Sequence, residues 1–309
     1  GISLYMMLLI PLILLLIDDR KKLFIFLYLW AAFSLLASAK GIIQNTIGVD
    51  SFEKAWLDAG GSITHVLFGK LRIFSFMSDA GQFGANQAYS GVVFGIIGLV
   101  VKDWRIKLFF LLTAVLGFYG MFLSGTRGAI SIPLAGFGIY AVLRKNKFVM
   151  LTGFFALLMV YIFFKYTFIG QDNQQIRRMR SAFDPNDPSL QVRLENQKKL
   201  RVYLATRPFG GGIGHAGVKA QRFLPNAFLS NVATDSWYVL IWAEMGIIGL
   251  ILHLFILFYI IGKSGYMIMF VLKDPETKFI FAALNSGMVG IMVASYGNAV
   301  LGTMPTSIL

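Results

Sequence analysis

The residue best placed to do chemistry is an arginine in a turn that has almost no loop around it. Leu123-Ser124-Gly125-Thr126-Arg127-Gly128-Ala129 joins two apolar segments, which puts Arg127 at or just inside the boundary of the membrane those segments imply. An unpaired Arg deep in lipid costs at least ~2.5–3.5 kcal/mol on insertion scales. A guanidinium's planar fork donates two parallel hydrogen bonds to a phosphate, and Gly125, Gly128 and Ala129 leave room for such a group to approach the backbone. The plainer reading is an Arg that snorkels to lipid headgroups.

A second basic group follows about 65 residues on. Asp184-Pro185-Asn186-Asp187-Pro188 has the composition of a turn, and 189–201 reads as a helix capped by Ser189. On it Arg193, Gln197 and Arg201 share one face at i, i+4 and i+8. Pro208 and Gly210-Gly211-Gly212-Ile213-Gly214 end that helix. The Gly-rich run lacks the Lys-Ser/Thr of a P-loop and follows no strand, so a re-entry turn is the simpler reading. Asp235 stands where a further helix begins, as an N-cap or as a general base facing the arginines. Glu244, roughly 13 Å deeper at 1.5 Å per residue, reads as a buried structural carboxylate. The three histidines have no metal-ligand spacing. Of these, His215 lies in an outward segment where it can touch substrate, and His253 reads as structural. No cofactor is expected.

These residues must be held by a membrane bundle. Of 309 residues, 57% are apolar and 14% charged, against about 25% charged in soluble domains, and the mean hydropathy is +0.69. A soluble domain of this length could not cover so much apolar surface. With no cysteine, disulfides and thiolate chemistry are excluded. Eight segments approach the ~17–25 residues a spanning helix needs: 1–17, 23–39, 86–101, 108–124, 129–143, 148–164, 237–261 and 279–297. The sequence opens with Gly1 and stops in an apolar stretch, so this count is taken as a minimum.

The connections alternate in charge. The stretches 18–22, 102–107, 144–147 and 262–278 carry three Lys/Arg each, which places them in the cytoplasm. The connection 40–85, the turn at 124–128 and the segment 165–236 then face outward. The last holds eleven Lys/Arg and five Asp/Glu, on the side where positive charge is not needed for orientation. It is read as a pocket for a polyanion, with a solvated cap as the alternative. The net charge of +13 is accordingly a matter of topology and an anionic ligand, and nucleic acid is not an expected partner.

Taken together, Arg72-Ile73-Phe74-Ser75-Phe76 with Asn86 at a helix mouth, the Ser124–Ala129 turn, Arg193 with Pro208-Phe209-Gly210-Gly211-Gly212-Ile213-Gly214, and Asp235-Ser236-Trp237-Tyr238 with Glu244-Met245-Gly246 and Gly249-Leu250 resemble the O-antigen ligase/polymerase superfamily of bacterial inner-membrane glycosyltransferases. The likeness runs from Arg72 to Pro305. It implies an all-α polytopic membrane protein of the C-type glycosyltransferase kind, with helices over 1–164, a periplasmic loop over 165–236 and further helices over 237–309. It implies a glycan donor on undecaprenyl diphosphate, used with inversion and without metal at the periplasmic face of the inner membrane. Arginines at the positions of Arg127 and Arg193 would hold the diphosphate, with Asp235 as base and Arg72, Arg201, His215 and Tyr238 contacting substrate.

Where ligases open the helix with His-Asn, this chain has Asp235-Ser236. That difference favours a polymerase of lipid-linked repeat units for O-antigen, capsule or exopolysaccharide over a ligase acting on lipid A core. A chain-length regulator and a flippase are the protein partners expected beside the lipid-linked glycan and membrane lipids. The third reading, a transporter of the same glycan, fits less well. Ionisable residues of transporters gather near the midplane, and here the spans hold only Glu244 and His253.

Overall fold

The computed structural model describes residues 11–67, 69–145, 147–184, 186–303 and 306. The chain is an all-α membrane protein. Its helices are α1 (Arg20–Thr46), α2 (Ala80–Val100), α3 (Trp104–Leu123), α4 (Ser131–Leu143), α5 (Lys147–Tyr166), α6 (Gln174–Arg180), α7 (Pro188–Leu204), α8 (Trp237–Tyr266) and α9 (Pro275–Ala294). Six of them, α1, α2, α3, α5, α8 and α9, are long and apolar enough to cross a membrane, and α4 with the preceding 3₁₀ turn Arg127–Ile130 is a shorter apolar helix. Seven expected spans are thus found as helices. Of the eighth, residues 11–16 are helical and 1–10 lie outside the described residues, as do Pro185 and Pro305.

Two boundaries differ most from expectation. Helix α1 runs on to Thr46 instead of 39, and α2 starts at Ala80 instead of 86, so Asn86 lies inside the helix. The carboxylate of Asp79 caps α2 by accepting from the Gln82 N–H at 2.9 Å, a start signal that an apolar window does not register. Between α1 and α2 come short helices at Ser51–Trp56 and Ser62–His65 and a two-stranded antiparallel hairpin, β1 (Val66–Leu67) and β2 (Lys70–Leu71).

Helix α2 is the axis of the bundle, buried along nearly its whole length among α1, α3, α4 and α9. It is rich in small and polar residues because helices in lipid associate through close backbone approach and hydrogen bonds, with no hydrophobic drive between them. A Cβ at Gly117 of α3 would sit 2.7 Å from the Gln87 carbonyl of α2. The buried Gln87 amide accepts from the hydroxyls of Ser34 and Ser38 on α1, at 3.2 and 3.0 Å, and donates to the Ser34 carbonyl at 3.1 Å. By contrast, among the described residues α5 buries none of its apolar stretch inside the protein.

The ends of the helices sort as the charges require. Arg20 at the start of α1 pairs with Glu276 and, at 3.8 Å, with Asp274 at the start of α9. The Arg144 guanidinium lies 4.2 Å from the Phe279 ring centroid, and the Lys145 ammonium 3.5 Å from that of Phe270. Basic connections therefore meet at one end of the bundle, which we call the basic end. The longer connections 47–79 and 167–236 gather at the opposite, loop end.

Helix α8 is broken at Gly246, whose φ of 68° and ψ of −170° are open only to glycine. The Gly-rich run fills the break. The Gly211 and Gly212 N–H groups donate to the carbonyls of Ala243 and Glu244, both at 2.9 Å, and the Ile248 N–H donates to the Pro208 carbonyl at 3.3 Å. Backbone groups freed inside an apolar span must find such partners. A Cβ at Gly246 would lie 2.0 Å from the Pro208 oxygen.

Gly246→Ala should therefore lower the melting temperature of the detergent-solubilised protein, since the left-handed backbone alone costs a non-glycine residue ~1–3 kcal/mol and the added methyl displaces the loop. Gly262→Ala, in the same helix with nothing within 4 Å of the added carbon, should melt at or slightly above wild type.

Candidate active site

The turn between α3 and α4 is locked by its own hydroxyls. Gly125 takes a φ of 58°. Ser124 Oγ accepts from the Thr126 N–H at 3.1 Å and donates to the Met121 carbonyl at 2.7 Å. Thr126 Oγ1 donates to the Ala80 carbonyl at 2.9 Å and accepts from Arg72 Nη2 at 3.3 Å. The next residue, Arg127, sits on the 3₁₀ turn and reaches the loop. Its Nη1 donates to Asp187 Oδ2 at 2.6 Å and to Ser181 Oγ at 2.8 Å.

Asp187 serves two elements at once. Oδ1 caps α7 by accepting from the Leu190 N–H at 3.1 Å, which moves the cap from the expected Ser189 to Asp187 with Pro188 in the first turn. Burial pushes the Asp187 carboxyl up, but the Arg127 hydrogen bond and charge and the α7 amides outweigh it and hold it below the usual carboxylate range.

Helix α7 carries Arg193, whose Nε donates to Asp235 Oδ2 at 3.1 Å. Arg127 and Arg193 line one cavity of about 330 Å³. Its polar lining includes Ser181, Asp184 and Asp187, and its apolar lining Ile130 and Leu134 near and on α4, Phe183, Leu190, and Val293 at the end of α9. The cavity lining thus combines charged and hydrocarbon side chains, the mixture a lipid with an anionic head would need. The two arginines singled out in the sequence, 66 positions apart, come together.

A third and a fourth guanidinium flank the first. Arg72 is fastened by the segment that follows it: Gln44 Oε1 on α1 accepts from the Phe74 and Ser75 N–H groups at 3.3 and 2.8 Å, and Ser75 Oγ donates to the Ala37 carbonyl at 2.7 Å. Arg178 on α6 was not foreseen as a site residue. It lines a narrow cleft with Lys70, Arg72, Ser124, Gly125 and Gln175. Burial pulls Arg72 below its ordinary value; Asp79 opposes this and the charge of Arg127 adds to it. Burial and the charges of Arg72 and Arg127 pull Arg178 down to about 10. Arg72 Nε is buried without a hydrogen-bond partner among the described residues. This corner carries more positive charge than its own carboxylates offset, which an incoming anion would relieve.

Other expected residues lie elsewhere. Asp235 does not line the cavity and does not cap α8, since Ser236 takes the cap position without a side-chain bond; its carboxylate is the partner of Arg193. Arg201 is exposed, two turns beyond Arg193 and outside the cavity wall. His215 is exposed, with Nδ1 3.0 Å from the Gly211 carbonyl. The Tyr238 hydroxyl donates to the Met292 carbonyl of α9 at 2.7 Å, so it joins helices. Glu244 has the Gly214 and Ala216 backbone amides near its carboxylate, and His253 Nε2 accepts from Trp237 Nε1 at 3.2 Å; neither lines the cavity.

Residues 112–254, a little under half of the chain, match a family model described as O-antigen ligase. That stretch contains Arg127, Arg178, Arg193 and Asp235, while Arg72 lies before it. The resemblance to the O-antigen ligase/polymerase superfamily is borne out there, and the matching family suggests an activity of the ligase or polymerase type. No curated protein and no solved structure matches the chain.

Because the fold depresses the Asp187 carboxyl, its ion pair contributes stability that is fully present above about pH 3.9, the usual value, and is lost as pH falls through the lower value in the folded protein. Asp187→Asn keeps a good helix cap and removes only the charge. The variant should melt below wild type at pH 7, and the two melting curves should converge in acid.

Proposed function

We propose that the protein polymerises undecaprenyl-diphosphate-linked oligosaccharide repeat units, for O-antigen, capsule or exopolysaccharide, at the periplasmic face of the bacterial inner membrane. The observation that carries this reading is the shared cavity of Arg127 and Arg193, whose lining also includes apolar side chains, at the end opposite the basic connections. In such a site the prenyl chain lies against Leu134 and Val293 and the diphosphate against the guanidiniums.

Transfer breaks the bond between the anomeric carbon and a diphosphate oxygen, and negative charge grows on that oxygen. Donors fixed in advance where charge develops stabilise the transition state more than the ground state. Arg127 is fixed by Asp187 and Ser181. Arg193 gives its Nε to Asp235, which leaves two terminal nitrogens for phosphate oxygens. Asp235, expected as the base, is therefore assigned to positioning Arg193. Arg72 and Arg178 add long-range positive potential, so the leaving group is neutralised by side chains and no metal is invoked.

A ligase reading is favoured by the description of the matching family. A null strain separates the two: loss of a polymerase leaves single repeat units attached to the final acceptor, and loss of a ligase leaves long chains on the lipid carrier.

With purified protein and a lipid-linked oligosaccharide, wild type should lengthen the glycan on the carrier. Arg127→Ala and Arg193→Ala should each lower turnover by about 10²–10³-fold, as loss of one oxyanion donor does elsewhere. Lys at either position should recover little, because a point charge lacks the fork. Asp235→Asn should raise the donor KM more than it lowers kcat. Chelator should leave turnover unchanged. Translocation into vesicles without bond formation would sink the assignment in favour of transport.

A further inference from the structure

A displacement at a sugar carbon also needs a group that takes the acceptor's proton, and the cavity decides which carboxylate is free to do so. Asp187 has both oxygens engaged, one by Arg127 and one by the Leu190 N–H. Asp235 is bound to Arg193 and is not in the cavity wall. Asp184 is in the wall, is exposed, and forms no ion pair among the described residues. Its Oδ1 accepts from the Asn186 N–H at 2.9 Å, an Asx turn that fixes the side chain and leaves Oδ2 for a hydroxyl.

The placement of Asp184 is tied to the diphosphate site. The two side chains that Arg127 holds, Ser181 and Asp187, bracket Asp184 in the sequence, and the Asp187 N–H donates to the Asp184 carbonyl at 3.2 Å. The guanidinium assigned to the leaving group thus also sets where the unpaired carboxylate stands.

We propose that Asp184 is the general base that activates the acceptor hydroxyl, an inference that rests on the reading of the cavity as a lipid-diphosphate glycan site. The acceptor oxygen forms its bond to the anomeric carbon as the bond from that carbon to the diphosphate oxygen breaks. The hydroxyl proton passes to Asp184 Oδ2, and the electron pair of the broken bond leaves on the diphosphate between Arg127 and Arg193. The protonated carboxyl then returns its proton to water.

Asp184→Asn is the decisive variant because an amide oxygen can still accept from the Asn186 N–H, so the turn is kept while the base is removed. With saturating lipid-linked oligosaccharide, kcat should fall by about 10²-fold or more, the usual contribution of a general base. Binding of undecaprenyl diphosphate should stay within about three-fold of wild type, as expected of a group acting on the acceptor alone. Formate should restore part of the turnover of Asp184→Ala. Glu195→Gln, an exposed carboxylate on α7 outside the cavity, serves as the control and should match wild type. An Asp184→Asn protein that turns over within about three-fold of an active wild type overturns the proposal and leaves the diphosphate site standing. A wild type that forms no glycosidic bond overturns both.

Discussion

The contact on which the site depends is the ion pair between Arg127 and Asp187. Arg127 belongs to a turn pinned to α2 through Thr126, and Asp187 is the residue that starts α7. A single hydrogen-bonded charge pair therefore joins the bundle to the loop and sets the origin of the helix that carries Arg193. From there the pairing continues, because Arg193 holds Asp235 just before α8. Three elements distant in sequence are thus registered by two guanidinium–carboxylate contacts. Half-buried pairs are a weak source of net stability but a strong source of geometry, since each side chain left alone would be a poorly solvated charge.

The electrostatic design follows from that frame. Positive charge gathers at the cavity and the adjoining cleft from three separate connections: Arg178 and Arg193 of the long 165–236 segment join Arg72 and Arg127, and Arg72, Arg127 and Arg178 sense one another. Keeping like charges together in a partly dry corner costs free energy, and the cost is recovered when an anion binds. On the proposed function, the apolar side chains in the same lining favour anions that arrive on a hydrocarbon chain.

Much of this was legible in the residues. A turn too short to hide a charge marks Arg127, and a helical period marks Arg193. Alternating basic connections sort the ends. Arg178 was not legible, because it stands in a run with Arg177 and Arg180 and only the fold selects among them: Arg177 is exposed and Arg180 turns away to the Ile169 carbonyl. The ends of α1 and α2 were missed where polar residues continue a helix. Lys40 stays in α1 because Asp50 and Glu53 meet its ammonium at 2.7 and 3.0 Å. The role of Asp235 depends on a partner 42 residues away, a distance at which spacing carries no information.

The break at Gly246 has a mechanical meaning. The nine residues of α8 before it, about 13 Å of helix, are stitched to the Gly-rich run on one side, and the Trp237 N–H donates to the Ser295 carbonyl on the other. Below the break the helix answers to its lipid-facing neighbours. The seam between the part of α8 held by the loop and the rest of it therefore runs through a single helix, nine residues from its start. A tilt of the longer part need not drag the helix that carries Arg193 with it, so on the proposed function the grip on a lipid head would be insulated from fluctuations in the thickness of the surrounding membrane.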